Sequence, residues 1–115
     1  MNTLSLTSAA ALAVALAPAA PAQTASPEPV ADCGPIEGTI RVADDAPVTL
    51  DMARITEDDA RAAATRAVPG ATVTDLDLEE EDGYLVFEAD LWRDGAEFEV
   101  TIDAGTGGVL CTELD

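Results

Sequence analysis

The stretch LDLEEEDGYLVFEADLWRDGAEFEVTI, residues 76–102, decides the fold because polar and apolar side chains alternate through most of it. A period of two residues is typical of strands that bury one face. Two polar breaks, at 80–83 and 93–95, each place a glycine after an aspartate, which favours tight hairpin turns. The sequence therefore predicts three antiparallel strands in a meander. The apolar face would consist of Leu76, Leu78, Leu85, Phe87, Ala89, Leu91, Phe98, Val100 and Ile102.

A helix is predicted just before this meander. Thr56 is followed three residues later by Asp59, which is the spacing of a helix N-terminal cap. Alanines then recur at helical spacing through residues 60–67, and Val68-Pro69-Gly70 stops the pattern. The stripe of small side chains would let the helix lie close to the apolar face of the sheet.

The segment TIDAGTGGVL, residues 101–110, resembles two kinds of active-site loop but fits neither. A phosphate-binding loop requires a lysine, and the dinucleotide fingerprint requires glycine where Leu110 stands. An aspartic-protease site needs two carboxylates supplied by a far larger protein. We interpret the segment as a turn into a fourth strand beginning at Val109. The predicted fold is thus α+β, with one helix packed on a three- to four-stranded antiparallel meander sheet.

The composition argues against catalysis. The chain has 115 residues, a net charge of −18, and neither histidine nor lysine. It therefore lacks the commonest general base and the commonest metal ligand. Acidic runs at 44–45, 57–59 and 79–82 could offer carboxylates to calcium, but none has the D-x-D-x-D-G pattern. We predict no catalytic, cofactor-binding or metal-binding residue, and no nucleic-acid partner for so negative a surface.

Residues 1–22 are predicted to be a signal peptide. Residues 9–20 are almost all alanine, valine and leucine, and Ala20-Pro21-Ala22 forms an A-x-A cleavage pattern. The expected lysine or arginine near the start is missing. We expect an exported protein, periplasmic or secreted, with no membrane span after cleavage. A proline-rich tether is predicted at 23–35, followed by one small domain at 36–115.

Export bears on the oxidation state expected for the two cysteines, Cys33 and Cys111. In an oxidising compartment an even pair in a small protein is typical of a disulfide. A redox or metal pair is the alternative, but no C-x-x-C spacing supports it. We predict that the two cysteines are bonded.

Several motifs together resemble the PepSY domain family. The alanine-rich helix, its V-P-G stop, the E-x-E-D-G hairpin and the closing D-A-x-T-G-x-V fall in the family's order between Ile55 and Leu110, with Ile102 in place of the usual valine. Gly38 to Val42 also resembles the G-x-I-x-V lead-in of small exported members. Family members occur in propeptides of thermolysin-type metalloproteases and as stand-alone envelope proteins. The resemblance implies no catalytic residue.

The resemblance implies a non-catalytic exported module that binds, and inhibits or regulates, a peptidase or another envelope protein. The alternative is a structural or ligand-binding accessory of the cell envelope with no link to proteolysis. A neighbouring peptidase gene would favour the first hypothesis.

A candidate partner surface follows from the strand alternation. Tyr84, Val86 and Trp92 fall on the sheet face that the helix does not cover, beside Glu88 and Asp90. One interpretation is that the lead-in, residues 36–47, lies across them. The other is that they bind a partner, since exposed aromatic side chains ringed by charge are typical of interfaces.

Overall fold

The computed structural model describes residues 28–115, so the predicted signal peptide lies outside the described residues. One helix packs on a four-stranded antiparallel sheet of order β1-β2-β3-β4, which confirms the predicted α+β meander. Residues 28–115 contain no helix with the length and hydrophobicity of a membrane span. The elements are a 3-10 turn at Leu50–Met52, α1 at Glu57–Ala67, β1 at Thr72–Glu81, β2 at Tyr84–Arg93, β3 at Ala96–Asp103 and β4 at Val109–Leu114.

The first two hairpins turn on an aspartate followed by a glycine. Asp82 and Gly83 have φ of 54° and 88°, and Asp94 and Gly95 have φ of 52° and 81°. Two successive residues with positive φ make the type I′ turn, whose twist matches that of the flanking strands. Since a two-residue turn leaves no freedom of register, these dipeptides determine which side chains are neighbours across β1, β2 and β3.

Helix α1 begins at the predicted cap. The Thr56 hydroxyl accepts a hydrogen bond from Asp59 N at 3.1 Å, and the Asp59 carboxylate accepts one from Thr56 N at 3.1 Å. This reciprocal pair satisfies two backbone donors that the first turn leaves free. Three alanines of the stripe, Ala60, Ala63 and Ala64, are buried against the sheet. The small side chains allow the close approach that the spacing predicted.

The hydrophobic core lies between α1 and one face of the sheet, called here the inner face. Its strand residues alternate as predicted and are buried. They are Leu85, Phe87, Ala89 and Leu91 of β2 and Phe98, Val100 and Ile102 of β3. The opposite face of the sheet, called the outer face, therefore receives the intervening residues of each strand.

The described part of the predicted tether is attached to the sheet. Val30 N donates to Thr112 O at 2.9 Å, and Leu114 N donates to Val30 O at 2.8 Å. This short parallel bridge occupies part of the free edge of β4. Val30, within the predicted tether, is thus held at the edge of β4, where unpaired backbone groups supply hydrogen-bond partners.

Candidate functional site

The outer face divides into two halves with different surroundings. One half lies under the segment 33–42, called here the strap. The other half, called the acidic half, is contacted by the strap at Glu113 and is lined by carboxylates from all four strands. The strap half contains Tyr84, Val86, Thr101, Asp103 and Cys111, and the acidic half contains Asp75, Asp77, Glu88, Asp90, Trp92, Glu97, Glu99 and Glu113.

The strap is joined to β4 by a disulfide between Cys33 and Cys111, as predicted, with their Cα atoms 6.0 Å apart. Cys33 N also donates to a Glu113 carboxylate oxygen at 3.2 Å. Further along, Ile36 N donates to the Asp82 carboxylate at 2.9 Å, in the turn between β1 and β2. The strap therefore crosses the outer face from β4 towards the β1–β2 hairpin.

The far end of the strap continues the sheet beyond the end of β3. Leu85 N donates to Ile40 O at 2.8 Å, and Val42 N donates to Gly83 O at 2.9 Å. Val42 reaches the hydrophobic core, where it is buried. The alternation of the G-x-I-x-V lead-in thus places its two branched apolar residues inward and Arg41 outward.

Asp103 anchors the strap to the turn after β3. Its carboxylate accepts hydrogen bonds from Thr39 N at 3.1 Å, Thr39 Oγ at 2.8 Å, Thr106 N at 3.2 Å and Thr106 Oγ at 2.8 Å. Burial alone would raise the pKa of Asp103, but these donors outweigh it and hold the pKa below its usual value. A Cβ at Gly105 would collide with Thr39 Oγ, so this turn also needs its glycine.

The segment TIDAGTGGVL, residues 101–110, contains a turn rather than an active-site loop. Residues 104–106 form a turn closed by hydrogen bonds of 2.8 Å from Gly107 N to Asp103 O and from Asp103 N to Gly108 O. The interpretation as a turn is confirmed. The aspartate that resembled a catalytic acid is a structural residue, because all its donors come from the fold itself.

The strap covers part of the predicted partner surface. Val86 lies on the predicted face, yet its exposure is 0%, so it is not available to a partner. Gly38 packs against Tyr84, and the Arg41 guanidinium lies 5.1 Å from the centre of the Tyr84 ring. The inclusion of Val86 in the partner surface is wrong, because the first residues of the domain fold back over this part of the sheet.

Trp92 is the exception among the three predicted residues. Its side chain is 52% exposed at the end of the acidic half, opposite Glu97 of β3. The strap does not reach it. The strand alternation thus placed all three residues on the correct face, but only Trp92 is largely exposed there.

The acidic half contains a row of four carboxylates that the sequence analysis missed. Asp75 pairs with Asp90, Asp90 with Glu99, and Glu99 with Glu113, so one acid comes from each strand. Side chains at directly paired positions have Cβ atoms only about 5 Å apart. Glu88 lies next to this row, between Asp77 and Thr101.

The carboxylates of this half raise one another's pKa. Partial burial is the largest cause for Glu88, followed by the charges of Glu79 and Glu99, and the pKa is raised to about 8. Partial burial and the charges of Glu113 and Asp90 likewise raise the pKa of Glu99 to about 7. The pKa of Asp90 is also raised, by burial and then by Asp75. Such shifts arise because each negative charge disfavours the next.

The alternating acids of β1, β2 and β3 were visible in the sequence as a signal for this row. Their alignment was not, because β1 contains a register shift between Val73 and Asp75. The position of each acid opposite its neighbour depends on that shift and on the two hairpin turns.

Comparison with known proteins gives one family and no individual relative. A family model described as PepSY, peptidase propeptide and YPEB domain, matches residues 54–112. No curated protein and no solved structure matches the chain. The matched range includes α1 and strands β1 to β3 and ends within β4, whereas the strap precedes it.

Proposed function

The chain belongs to the PepSY family, and from that premise we propose that it is an exported, non-catalytic module that binds and regulates a peptidase or another envelope protein. The family match over residues 54–112 is the observation that carries this proposal, because the family's description includes peptidase propeptides. The match spans the helix and most of the sheet rather than one short motif.

The chemistry of the chain supports a binding role over a catalytic one. It has no histidine, and its two cysteines are bonded to each other. The most buried carboxylate, Asp103, accepts hydrogen bonds from Thr39 of the strap and Thr106 of the turn. A general base or a nucleophile would have to come from the remaining acids and hydroxyls.

The disulfide supports export. Structural disulfides form and persist in oxidising compartments, and the bond between Cys33 and Cys111 ties the strap to the last strand. The predicted signal peptide at 1–22 points to the same compartment. A periplasmic or secreted location would also bring the module into contact with exported peptidases.

We assign the partner contact to the surface around Trp92. An indole that is 52% exposed supplies a large apolar area with little loss of side-chain freedom, which is why tryptophan is enriched at binding hot spots. Leu50, which is 54% exposed in the 3-10 turn, offers a matched control because it is equally exposed but lies on a different element.

The test uses residues 23–115 with the disulfide intact. The immobilised protein is exposed to the exported fraction of the source organism, and retained proteins are identified by mass spectrometry. We expect a peptidase to be retained, and its purified activity to change when the module is added. Trp92→Ala should lose most of the retention, whereas Leu50→Ala should keep it.

Other outcomes separate the hypotheses. Trp92-dependent retention of a protein that is not a peptidase would replace the peptidase role by the accessory role. Equal retention by both variants would overturn the assignment of the contact to Trp92. A retained peptidase whose activity is unchanged by the module would overturn regulation.

A further inference from the structure

The carboxylate row is unusual because no opposite charge accompanies it. The groups that face Glu88 and Glu99 are acidic from every strand of the sheet. They are Asp75, Asp77, Glu79 and Glu81 of β1, Asp90 of β2, Glu97 of β3, Glu113 of β4 and the terminal Asp115. From the strap, the backbone N–H of Cys33 donates to Glu113.

The side-chain contacts of Arg41, Arg61 and Arg93 lie away from the carboxylate row. Arg41 lies over Tyr84, and Arg93 donates to Pro69 O at 2.8 Å and lies over the Phe98 ring on the inner face. The ion pair formed within residues 28–115 is Arg61 with Asp58 on α1, at 3.5 Å. Arg54 and Arg66 complete the five, and residues 1–27 contain no arginine, lysine or histidine. Neutralisation of the row must therefore come from protons or from solution ions.

We propose that the carboxylate row is a proton-linked stability switch, in which the folded sheet holds at least one proton that the unfolded chain releases. Four acids at directly paired positions cannot all ionise without repulsion between neighbours, so a proton held between them stabilises the folded sheet. In the unfolded chain the same acids are far apart and ionise independently.

The sign of the effect follows from the direction of the pKa shifts. Glu88 and Glu99 have folded pKa values of about 8 and about 7, above their ordinary value of 4.5. The stabilisation is therefore fully present below about pH 4.5 and is lost as the pH rises through 7 and 8. This direction is opposite to that of a salt-bridged carboxylate, which loses its contribution on acidification.

The composition makes this switch unusually easy to observe. With no histidine, no lysine and no free cysteine in the described chain, carboxyl groups are the only side chains of this protein that can titrate between pH 6 and pH 9. Outside the side chains, only the α-amino group titrates in this range, and acetylation removes it. Any remaining change in stability across that range reports on acids with raised pKa.

The test is urea unfolding of residues 23–115, amino-acetylated and with the disulfide intact, from pH 5.5 to pH 9 at constant ionic strength. While the folded state holds a proton that the unfolded chain has released, each such proton should raise the unfolding equilibrium constant about tenfold per pH unit, and this slope should vanish once the folded state also releases the proton. We expect the urea midpoint to fall most steeply between pH 5.5 and pH 7 and to level off above about pH 8.

Three variants localise the effect. Glu88→Gln and the double variant with Glu99→Gln should raise the midpoint at pH 8.5 and flatten its pH dependence. Glu57→Gln, which removes the same charge from the exposed first turn of α1, should keep the wild-type slope. A flat wild-type profile, or an unchanged slope in the double variant, would overturn the proposal.

A measurement on the wild-type protein covers the case in which a variant does not fold. A protonated carboxyl group has its own infrared C=O band, distinct from that of a carboxylate. We expect this band in the folded protein at pH 6, with its loss by pH 9 and after unfolding in urea at pH 6. Its absence from the folded protein at pH 6 would overturn the proposal.

Discussion

Carboxylates in the two halves of the outer face have pKa values shifted in opposite directions. Under the strap, Asp103 is only 1% exposed, yet four hydrogen bonds keep its pKa below the usual value. In the acidic half, Glu88 and Glu99 are less buried, yet their pKa values are raised to about 8 and about 7. Burial alone does not decide whether a carboxylate is stabilised. Whether a buried carboxylate is stabilised depends on the hydrogen bonds that it accepts. For Asp103 the donors belong to the strap and to the turn that the strap contacts.

The largest expected effect comes from releasing the strap. Replacing both cysteines by serine, Cys33→Ser with Cys111→Ser, should lower the free energy of unfolding by about 4 kcal/mol, because the bond closes a long loop in the unfolded chain. Urea unfolding at pH 6 would measure the loss. Labelling of unfolded, unreduced wild-type protein should find no free thiol, and two labelled thiols would contradict the bond itself.

The next effect separates the two halves by pH. Asp103→Asn leaves one acceptor oxygen where two are used, and it should destabilise the fold by about 2 kcal/mol at pH 7. Because the folded pKa of Asp103 is lowered, its contribution is present above about pH 4 and is lost as the pH falls further. The difference between wild type and Asp103→Asn should therefore shrink in acid.

Glu88→Gln is the matched control for that experiment. Its effect on the urea midpoint should grow as the pH rises from 6 to 8.5, in the opposite sense to the effect of Asp103→Asn. Two variants with parallel pH profiles would show that the halves do not differ in the way that the structure indicates.

A third comparison concerns two residues that the sequence analysis assigned to one surface. Val86→Ala should cost on the order of 2 kcal/mol, because it removes two methyl groups from a fully buried position. Trp92→Ala should change stability by less than about 1 kcal/mol, because half of the indole already faces solvent. Thermal unfolding of both variants measures the difference. Equal losses would mean that Trp92 is packed in solution.

The smallest expected effect is the response to salt. Raising NaCl from low concentration to about 1 M should stabilise the protein by about 1 kcal/mol at pH 8.5, because the Debye length shrinks to about 3 Å and screens the acidic half. Glu88→Gln should respond less than wild type, and Asp103→Asn should respond like wild type. A much larger effect of millimolar calcium than of magnesium would instead indicate a specific metal site.

The elements that the sequence predicted are those determined by local chemistry. The Thr56 cap, the two aspartate–glycine turns and the alternation of residues 85–91 each act within a few residues, and each is present in the structure. The disulfide was predictable because the chain offers one pairing only.

The features that the sequence did not predict depend on contacts between distant residues. That residues 36–47 lie across the outer face was one of two interpretations left open by the sequence, because the position of this segment depends on Asp103 and Asp82, which lie far along the chain. The structure agrees with the covering interpretation at Val86, which is 0% exposed, but not at Trp92, which is 52% exposed. The carboxylate row likewise requires the register of all four strands, which alternation within one strand does not contain.

The order of the disulfide along the chain has a consequence for how the protein matures. Within residues 28–115, Cys33 precedes the helices and strands, and Cys111 lies in β4. A chain that emerges N-terminus first thus presents one thiol long before its partner, and the chain contains no third cysteine that could pair wrongly with it. Oxidation within a single chain can occur only once β4 has emerged. A chain with this bond formed has therefore been synthesised and folded as far as β4.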